Sequence, residues 1–404
     1  MKRPLDDVRV VECGIYHAGP GGTAILGDLG AEVIKIEQPV TGDPSRENRQ
    51  IGDLRLDLFP GKGSLFCEGA NRNKKSVTVD LETRKGQKIV HRLVAKADVF
   101  LTNMRPQAVE EMEISYSVLR QINPELIYAK VSGFGPNGPD KDLGAFDYQG
   151  QARSGFMYAL GEPDMPPLVC QFGVIDQVTS ILASHQIITA LYMRERTCIG
   201  QEVNVSLLGS AMSILYLNIL FKNMVDLKVP RHDRIRSFPL RNYYKCKDNR
   251  WLMITLNPPM KHWPQLCKAI EKPELENDPR FNTEDKQHQN TGDLIKILDA
   301  IFINRPCEEW VGIFREYDLF CCGINTLEDL ANDPQVIANN YLVDFDHPSL
   351  GKIKIPGYFG HFSECTAGTV RAAPDLGEDT QEILKTIGGY SKDEIHCFEK
   401  EGII

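Results

Sequence analysis

The sequence predicts an α/β fold, a doubly wound parallel sheet with a smaller appended unit, on three observations. Over the first third, short β-branched runs alternate with helical stretches, the pattern of a parallel sheet covered on both faces. That pattern closes at Ser132-Gly133-Phe134-Gly135-Pro136-Asn137-Gly138-Pro139, through which neither a helix nor a strand ladder can continue. From about Val229 the character shifts to hairpin and polar-helix patterns, and 404 residues exceed one ordinary domain.

Each element has its own warrant. Residues 8–13 read as a first strand, Gly19-Pro20-Gly21-Gly22 opens a helix that runs to Leu29, and residues 31–37 return as a second strand. Residues 76–80, 98–102 and 126–131 supply the third, fourth and fifth strands, with an amphipathic helix over 85–96. A helical stretch near 148–160 precedes a break and then a long helix over about 177–195. Its apolar residues Val178, Ile181, Leu182, Ile188, Leu191 and Tyr192 predict one buried face. The uncharged stretch 207–221 is too short to cross a bilayer and reads as a buried helix. Residues 243–250 suggest a hairpin, 252–256 a strand, and 294–302 and 308–314 helices of the small unit. The tail reads as strands over 341–356 with a turn at Gly351, then as helices.

Composition excludes several classes. Hydrophobic residues at 42 % and charged residues at 25 % are globular values, so the chain is neither disordered nor low-complexity. A formal net charge of −9 offers no general field for nucleic acid or an anionic membrane, so any anionic ligand must be held by a local pocket. The first seven residues lack the apolar core and cleavage site of a secretion signal, which predicts a cytoplasmic protein. Eleven scattered cysteines, with no Cys-x-x-Cys pair, predict reduced thiols and no metal site.

Several residues invite both a chemical and a structural reading. Gly19 to Gly22 with Glu37 further on superficially resembles a dinucleotide site, but Pro20 fills the variable place and Thr23-Ala24-Ile25 replaces the third glycine. Asp176, in Gln171-Phe172-Gly173-Val174-Ile175-Asp176-Gln177, is either a helix N-cap or a carboxylate that the helix N-terminus keeps ionised and aimed for nucleophilic attack. Asp147 opens the preceding helix and carries the same two readings. His17 sits at the first strand-to-helix turn, where such sheets bind ligands, although a lone histidine is more often structural. His185 falls on the apolar face of its helix and reads as a core histidine. Asn71-Arg72-Asn73-Lys74-Lys75 is either solvated surface or a phosphate contact.

Taken together, the chain resembles the class III CoA-transferases, the family of formyl-CoA transferase and carnitine CoA-transferase, which also holds an acyl-CoA racemase branch. The matching pieces run nearly end to end: Ala18-Gly19-Pro20, residues 27–37, Gly42-Asp43-Pro44-Ser45-Arg46, residues 71–76, residues 133–139, Phe146-Asp147, Gly161-Glu162-Pro163, and residues 194–197 with Gly200-Gln201. The resemblance implies an enzyme that moves CoA from an acyl-CoA donor, such as succinyl-CoA, to an acid acceptor, such as a substituted succinate of the benzylsuccinate kind. Catalysis would pass through an aspartyl anhydride and an aspartyl-CoA thioester, with Asp176 as nucleophile and Asp147 as the second carboxylate. CoA enters as co-substrate, with no tightly bound cofactor. By the same matching, Tyr16, His17, Ala18, Gln38, Arg46, Asp80, Leu81, Asn103, Met104 and Arg105 would bind CoA. Bulky Phe172 and Tyr148 point to an acceptor larger than formate.

The resemblance also implies domains at 1–225 and 226–330, with 331–404 returning to the large domain, and an interlocked dimer. The partner would be an identical chain or a homologous subunit. Departures from the family pattern are Gln38 and Glu111 at places that can carry arginine, and Phe320-Cys321-Cys322-Gly323 in place of a Gly-Val-Pro turn. The racemase branch uses a histidine where this chain has Phe146 and a glutamate where it reads Leu256-Asn257-Pro258, so racemisation is disfavoured. The remaining alternative is a non-catalytic CoA-binding partner of a heteromeric transferase.

Overall fold

The computed structural model describes residues 2–51, 54–55, 63–225 and 227–404; of the domain boundary expected at 225/226, residue 226 lies outside them. Two compact units emerge: one of Met1–Met157, Val169–Lys228 and Ile337–Ile404, the other of Tyr158–Leu168 and Val229–Val336.

In the first unit, β1 (Arg9–Cys13), α1 (Ala18–Asp28), β2 (Glu32–Glu37), β3 (Lys74–Thr78), α2 (Arg84–Val94), β4 (Val99–Thr102), β5 (Ile127–Ser132), α3 (Asp147–Ser154), α4 (Val174–Thr197) and β6 (Gln201–Ser206) follow in chain order. The six strands are all parallel, in the order β3-β2-β1-β4-β5-β6. Alternation along the strands feeds two cores, as a sheet buried on both faces requires. Val10, Val33, Val99 and Ile127 pack with Ile175, Ala183 and Ile187 of α4. Val11, Ile34, Phe100 and Tyr128 pack with α2 and with Ile383, Leu384 and Ile395 from the end of the chain.

The sheet carries an internal ion network. Glu12 is fully buried between the Lys35 ammonium at 2.7 Å and the Lys74 ammonium at 2.6 Å, and Lys35 also pairs with Asp43 at 2.9 Å. Burial alone pushes the Glu12 carboxyl up; the two ammoniums more than reverse this and hold it below its ordinary range.

Four expectations are corrected. The basic run 71–75 is tied into the fold and is not a free surface patch: Asn71 and Lys74 are buried, and the rest are half-buried, with Arg72 and Asn73 bonding Asp28, Lys74 bonding Glu12 and Lys75 bonding Glu32. That buried Lys74 is also why β3 begins two residues before the uncharged run suggests.

Of the face its large apolar residues predict, the long helix buries Leu191 and half-buries Val178 and Leu182, but its main buried stripe is a different one. Thr179, Ser180, Ala183 and Ser184 face inward, while Ile181, Ile188, Tyr192 and His185 are exposed. Close approach to α1 explains the choice: a Cβ on Gly21 would lie 2.4 Å from Ser180 Oγ, and one on Gly22 3.1 Å from Ala183 Cβ. Stretch 207–221 forms two helices, α5 (Leu207–Ile214) and α6 (Tyr216–Val225), bent by 72° and largely exposed, with Leu217 at 73 %. Among the described residues no single helix is long and apolar enough to cross a membrane. Finally, β6 is a strand the sequence reading lacks.

The second unit is a three-stranded antiparallel sheet of Arg241–Lys245, Trp251–Thr255 and Cys321–Gly323 packed on helices through Trp263, Phe302 and Phe314. Arg231 holds the 158–168 segment by donating to the carbonyls of Tyr158 and Glu162 at 2.8 and 3.1 Å.

Candidate active site

The strand order reverses between β1 and β4, and parallel sheets open a crevice at such a point beyond the carboxyl ends of the strands. A cavity of about 550 Å³ lies there, lined by residues 15–18 after β1, 103–106 after β4, 130–133 at the end of β5, the 141–146 segment and Asp176. A second cavity of about 110 Å³ adjoins it through Ile15 and Met104, with Gln38, Asp80 and Leu81 in its wall.

Asp176 stands in the first turn of α4, half-buried. It is not the N-cap: that position is Gly173, in the left-handed region at φ 70° and without a side-chain cap. The amides at this helix start are satisfied from outside. Asp147 Oδ2 accepts from the N–H groups of Ile175 at 2.6 Å and Asp176 at 3.0 Å, while Oδ1 accepts from Gln151. Gln151 is fixed in turn by donating to Cys170 O and accepting from Cys170 N. Asp147 therefore opens its own helix α3 but caps α4.

This arrangement overturns the expectation that the helix end keeps Asp176 ionised. The nearest amides serve Asp147, and burial followed by the negative charge of Asp147 pushes the Asp176 carboxyl up to about 7. At neutral pH the group is poised between its acid and its carboxylate form.

The first turn after β1 faces the same cavity. His17 Nε2 lies 2.8 Å from Gln177 Oε1, next in sequence to Asp176, and burial lowers the His17 pKa, so its imidazole is neutral. Tyr16 and Phe146 meet edge to face at 5.4 Å.

Of the residues the resemblance singles out, Tyr16, His17, Ala18, Asn103, Met104, Arg105 and Asp176 line the larger cavity, and Gln38, Asp80, Leu81 and again Met104 the smaller. Gln38 spends its side-chain oxygen on the amides of Val40 and Thr41. Arg46 lines neither cavity: it is 1 % exposed, with both Glu37 oxygens at 2.7 Å and Pro374 O at 3.0 Å. The same pair closes Glu37 to any ribose, which removes the dinucleotide reading. Phe172 and Tyr148 lie outside both linings, so the apolar wall of the larger cavity comes instead from Leu143, Phe146 and Leu207.

The cavity-lining cations Lys130 and Lys141 went unread in the sequence. Lys141 follows the Gly-Pro loop by two residues, a signal that could have found it, whereas Lys130 is one cation inside a strand. Among the described residues no cluster is fit to hold a metal ion.

The profile of CoA-transferase family III matches residues 5–380. The chain is 32 % identical to the succinyl-CoA–D-citramalate CoA-transferase of Chloroflexus aurantiacus, over 100 % of this chain and 98 % of that protein. It is likewise 32 % identical to the (R)-2-hydroxy-4-methylpentanoate CoA-transferase of Clostridioides difficile, over 99 % of each. The crystal structure of a CaiB/BaiF family protein from Brucella suis superposes with a TM-score of 0.84 at 27 % identity, covering 96 % of this chain and 100 % of that one.

The Asp176 environment has a stability signature. Its folded pKa of about 7 lies above its ordinary 3.8, so the stability it contributes is complete below about pH 4 and lost as pH rises through 7. Asp176→Asn is therefore expected to be more stable than the parent above pH 7, by roughly 2–4 kcal/mol, with the gap closing toward pH 4. Asp147→Ala should lose about 1–2 kcal/mol by orphaning two amides. Urea unfolding across pH checks both, and a parent more stable than the Asn variant at pH 8 would contradict the account.

Proposed function

From the premise that the chain belongs to CoA-transferase family III and is a CoA-transferase, we propose that Asp176 is the nucleophile on which CoA is carried from donor to acceptor acid. The observation that carries this reading is a half-buried carboxylate on the wall of the switch-point cavity, with its helix held by a second carboxylate.

The chemistry balances without an added proton donor. An Asp176 oxygen attacks the thioester carbonyl of the donor, the C–S bond breaks, and CoA thiolate leaves a mixed anhydride. The thiolate attacks the aspartyl carbonyl, expelling the donor acid as its carboxylate and leaving CoA as a thioester on Asp176. The acceptor carboxylate attacks that carbonyl and expels thiolate again. Attack of the thiolate on the acceptor acyl carbon then frees the product and restores Asp176.

Residues 15–18, 103–105 and Asp80-Leu81 are the CoA-facing walls in this reading, and Lys130, Lys141 and Arg105 supply positive charge. Binding energy from the nucleotide end of CoA, retained through every step, can be spent on desolvating and aligning the carboxylate. Succinyl-CoA as donor and a substituted succinate as acceptor are supported by the likeness to the succinyl-CoA–D-citramalate CoA-transferase of Chloroflexus aurantiacus.

A dimer belongs to the same proposal. Its support is the exposed apolar surface of the first unit, where Ile181, Ile188 and Tyr192 of α4 and Tyr216, Leu217 and Met224 of α6 lack a cover. Light scattering is expected to give twice the chain mass; a monomer at micromolar concentration would count against it.

Incubation with succinyl-CoA followed by hydroxylamine is expected to leave a hydroxamate on the peptide containing Asp176, and Asp176→Asn should leave none. Because attack needs the ionised form, kcat/KM should fall about tenfold per pH unit below about pH 6, with the bend near 7. Asp147→Asn should move the bend to lower pH. CoA retained without an adduct in the parent would favour a binding-only subunit instead.

A further inference from the structure

The four residues that join β1 to α1, and Ala18 that opens the helix, are fastened one by one. Gly14 O accepts from Lys35 Nζ at 2.7 Å. Ile15 is gripped on both sides by one amide: its N–H donates to Asn103 Oδ1 at 2.9 Å and its carbonyl accepts from Asn103 Nδ2 at 2.7 Å. Tyr16 N–H donates to Asp43 Oδ1 at 3.1 Å, His17 meets Gln177, and Ala18 O accepts from Ser180 Oγ at 3.1 Å.

Such fastening answers a backbone cost. Tyr16 has φ 59°, the left-handed region that a tyrosine adopts only when its surroundings impose it. Asn103 reaches the loop because it lies against two glycines: a Cβ on Gly14 would be 3.3 Å from its Oδ1, and one on Gly19 3.2 Å from its Cβ. Asp43 cannot drift either. Its Oδ1 also accepts from Ser45 N–H at 2.8 Å, and its Oδ2 pairs with Lys35, itself locked on Glu12.

The fastened loop forms the cavity wall shared with Asp176, yet both Asn103 polar atoms and Asp43 Oδ1 are occupied by backbone. We propose that Asn103 and Asp43 are positioning residues for acyl transfer, holding residues 15–16 so that the bound thioester is presented to Asp176. The proposal rests on the reading of Asp176 as nucleophile. Asn103 thus serves the CoA site through Ile15 and not by bonding the ligand.

The test is the single-turnover rate of adduct formation on Asp176 from succinyl-CoA, normalised to the final adduct so that inactive molecules drop out. Asn103→Ala is expected to slow the rate constant roughly 100-fold, the effect of a misplaced reacting group, while the half-saturating succinyl-CoA concentration changes less than about threefold. A per-site rate within about twofold of the parent overturns the proposal whatever the variant's stability. Should Asn103→Ala not fold, the Asp43 pair decides. Asp43→Asn keeps an acceptor for Tyr16 N–H and Asp43→Ala does not, so the Asn variant is expected to be at least about tenfold faster, and equal rates refute the positioning role. A parent chain that forms no adduct removes the nucleophile itself, an outcome distinct from a parent that reacts beside unaffected variants.

Discussion

One carboxylate, Asp147, sets the terms for the rest of the site. By accepting from the amides of Ile175 and Asp176 it completes the start of α4, a 24-residue helix, and fixes the backbone on which Asp176 stands. The same oxygen leaves Asp176 beside a negative charge and without those amides, so the proposed nucleophile is held in place yet made hard to ionise. Two tasks are thereby separated: Asp147 spends its oxygens on the backbone, and the Asp176 carboxyl faces the cavity.

Around that pair, the fold concentrates order at the switch point. Ion pairing buried in the sheet, from Lys74 through Glu12 and Lys35 to Asp43, ends on the backbone of Tyr16. Removing one member would strand a buried charge, which is why the network transmits rigidity from the strands to the cavity wall. Close packing of Gly21 and Gly22 against Ser180 and Ala183 ties α1 to α4, so His17, at the N-cap of α1, and Asp176, in the first turn of α4, keep their spacing.

Local signals were legible where they decide structure alone. Strands β1, β2, β4 and β5 are β-branched runs bounded by Gly, Pro or Asn, and they formed within one residue of where the pattern places them. Strand β6 escaped because Gln201-Glu202-Val203-Asn204-Val205-Ser206 is an edge strand with a polar face. The start of α4 was misjudged by three residues because its cap is Asp147, 28 residues before Ile175, which no local pattern can reveal. Arg46 and the 71–75 run illustrate the same limit. Their charges suggested a ligand, and only the folded chain shows Glu37, Asp28 and Glu12 already in contact with them. Family likeness brought seven of the proposed site residues to one cavity because motifs spaced along the chain converge at the ends of β1 and β4.

Oxygen bookkeeping offers the most direct trial of Asp176 as the atom-bearing intermediate. In the anhydride route, the bridging oxygen comes from the acceptor carboxylate and stays on the aspartate when CoA leaves with the acyl group. After turnover with a heavy-oxygen-labelled acceptor acid, mass spectrometry of the Asp176 peptide should show label in that side chain. Labelled acyl-CoA product formed by an enzyme whose Asp176 carries only ordinary oxygen would mean that CoA passes between the acids without ever bonding to this residue.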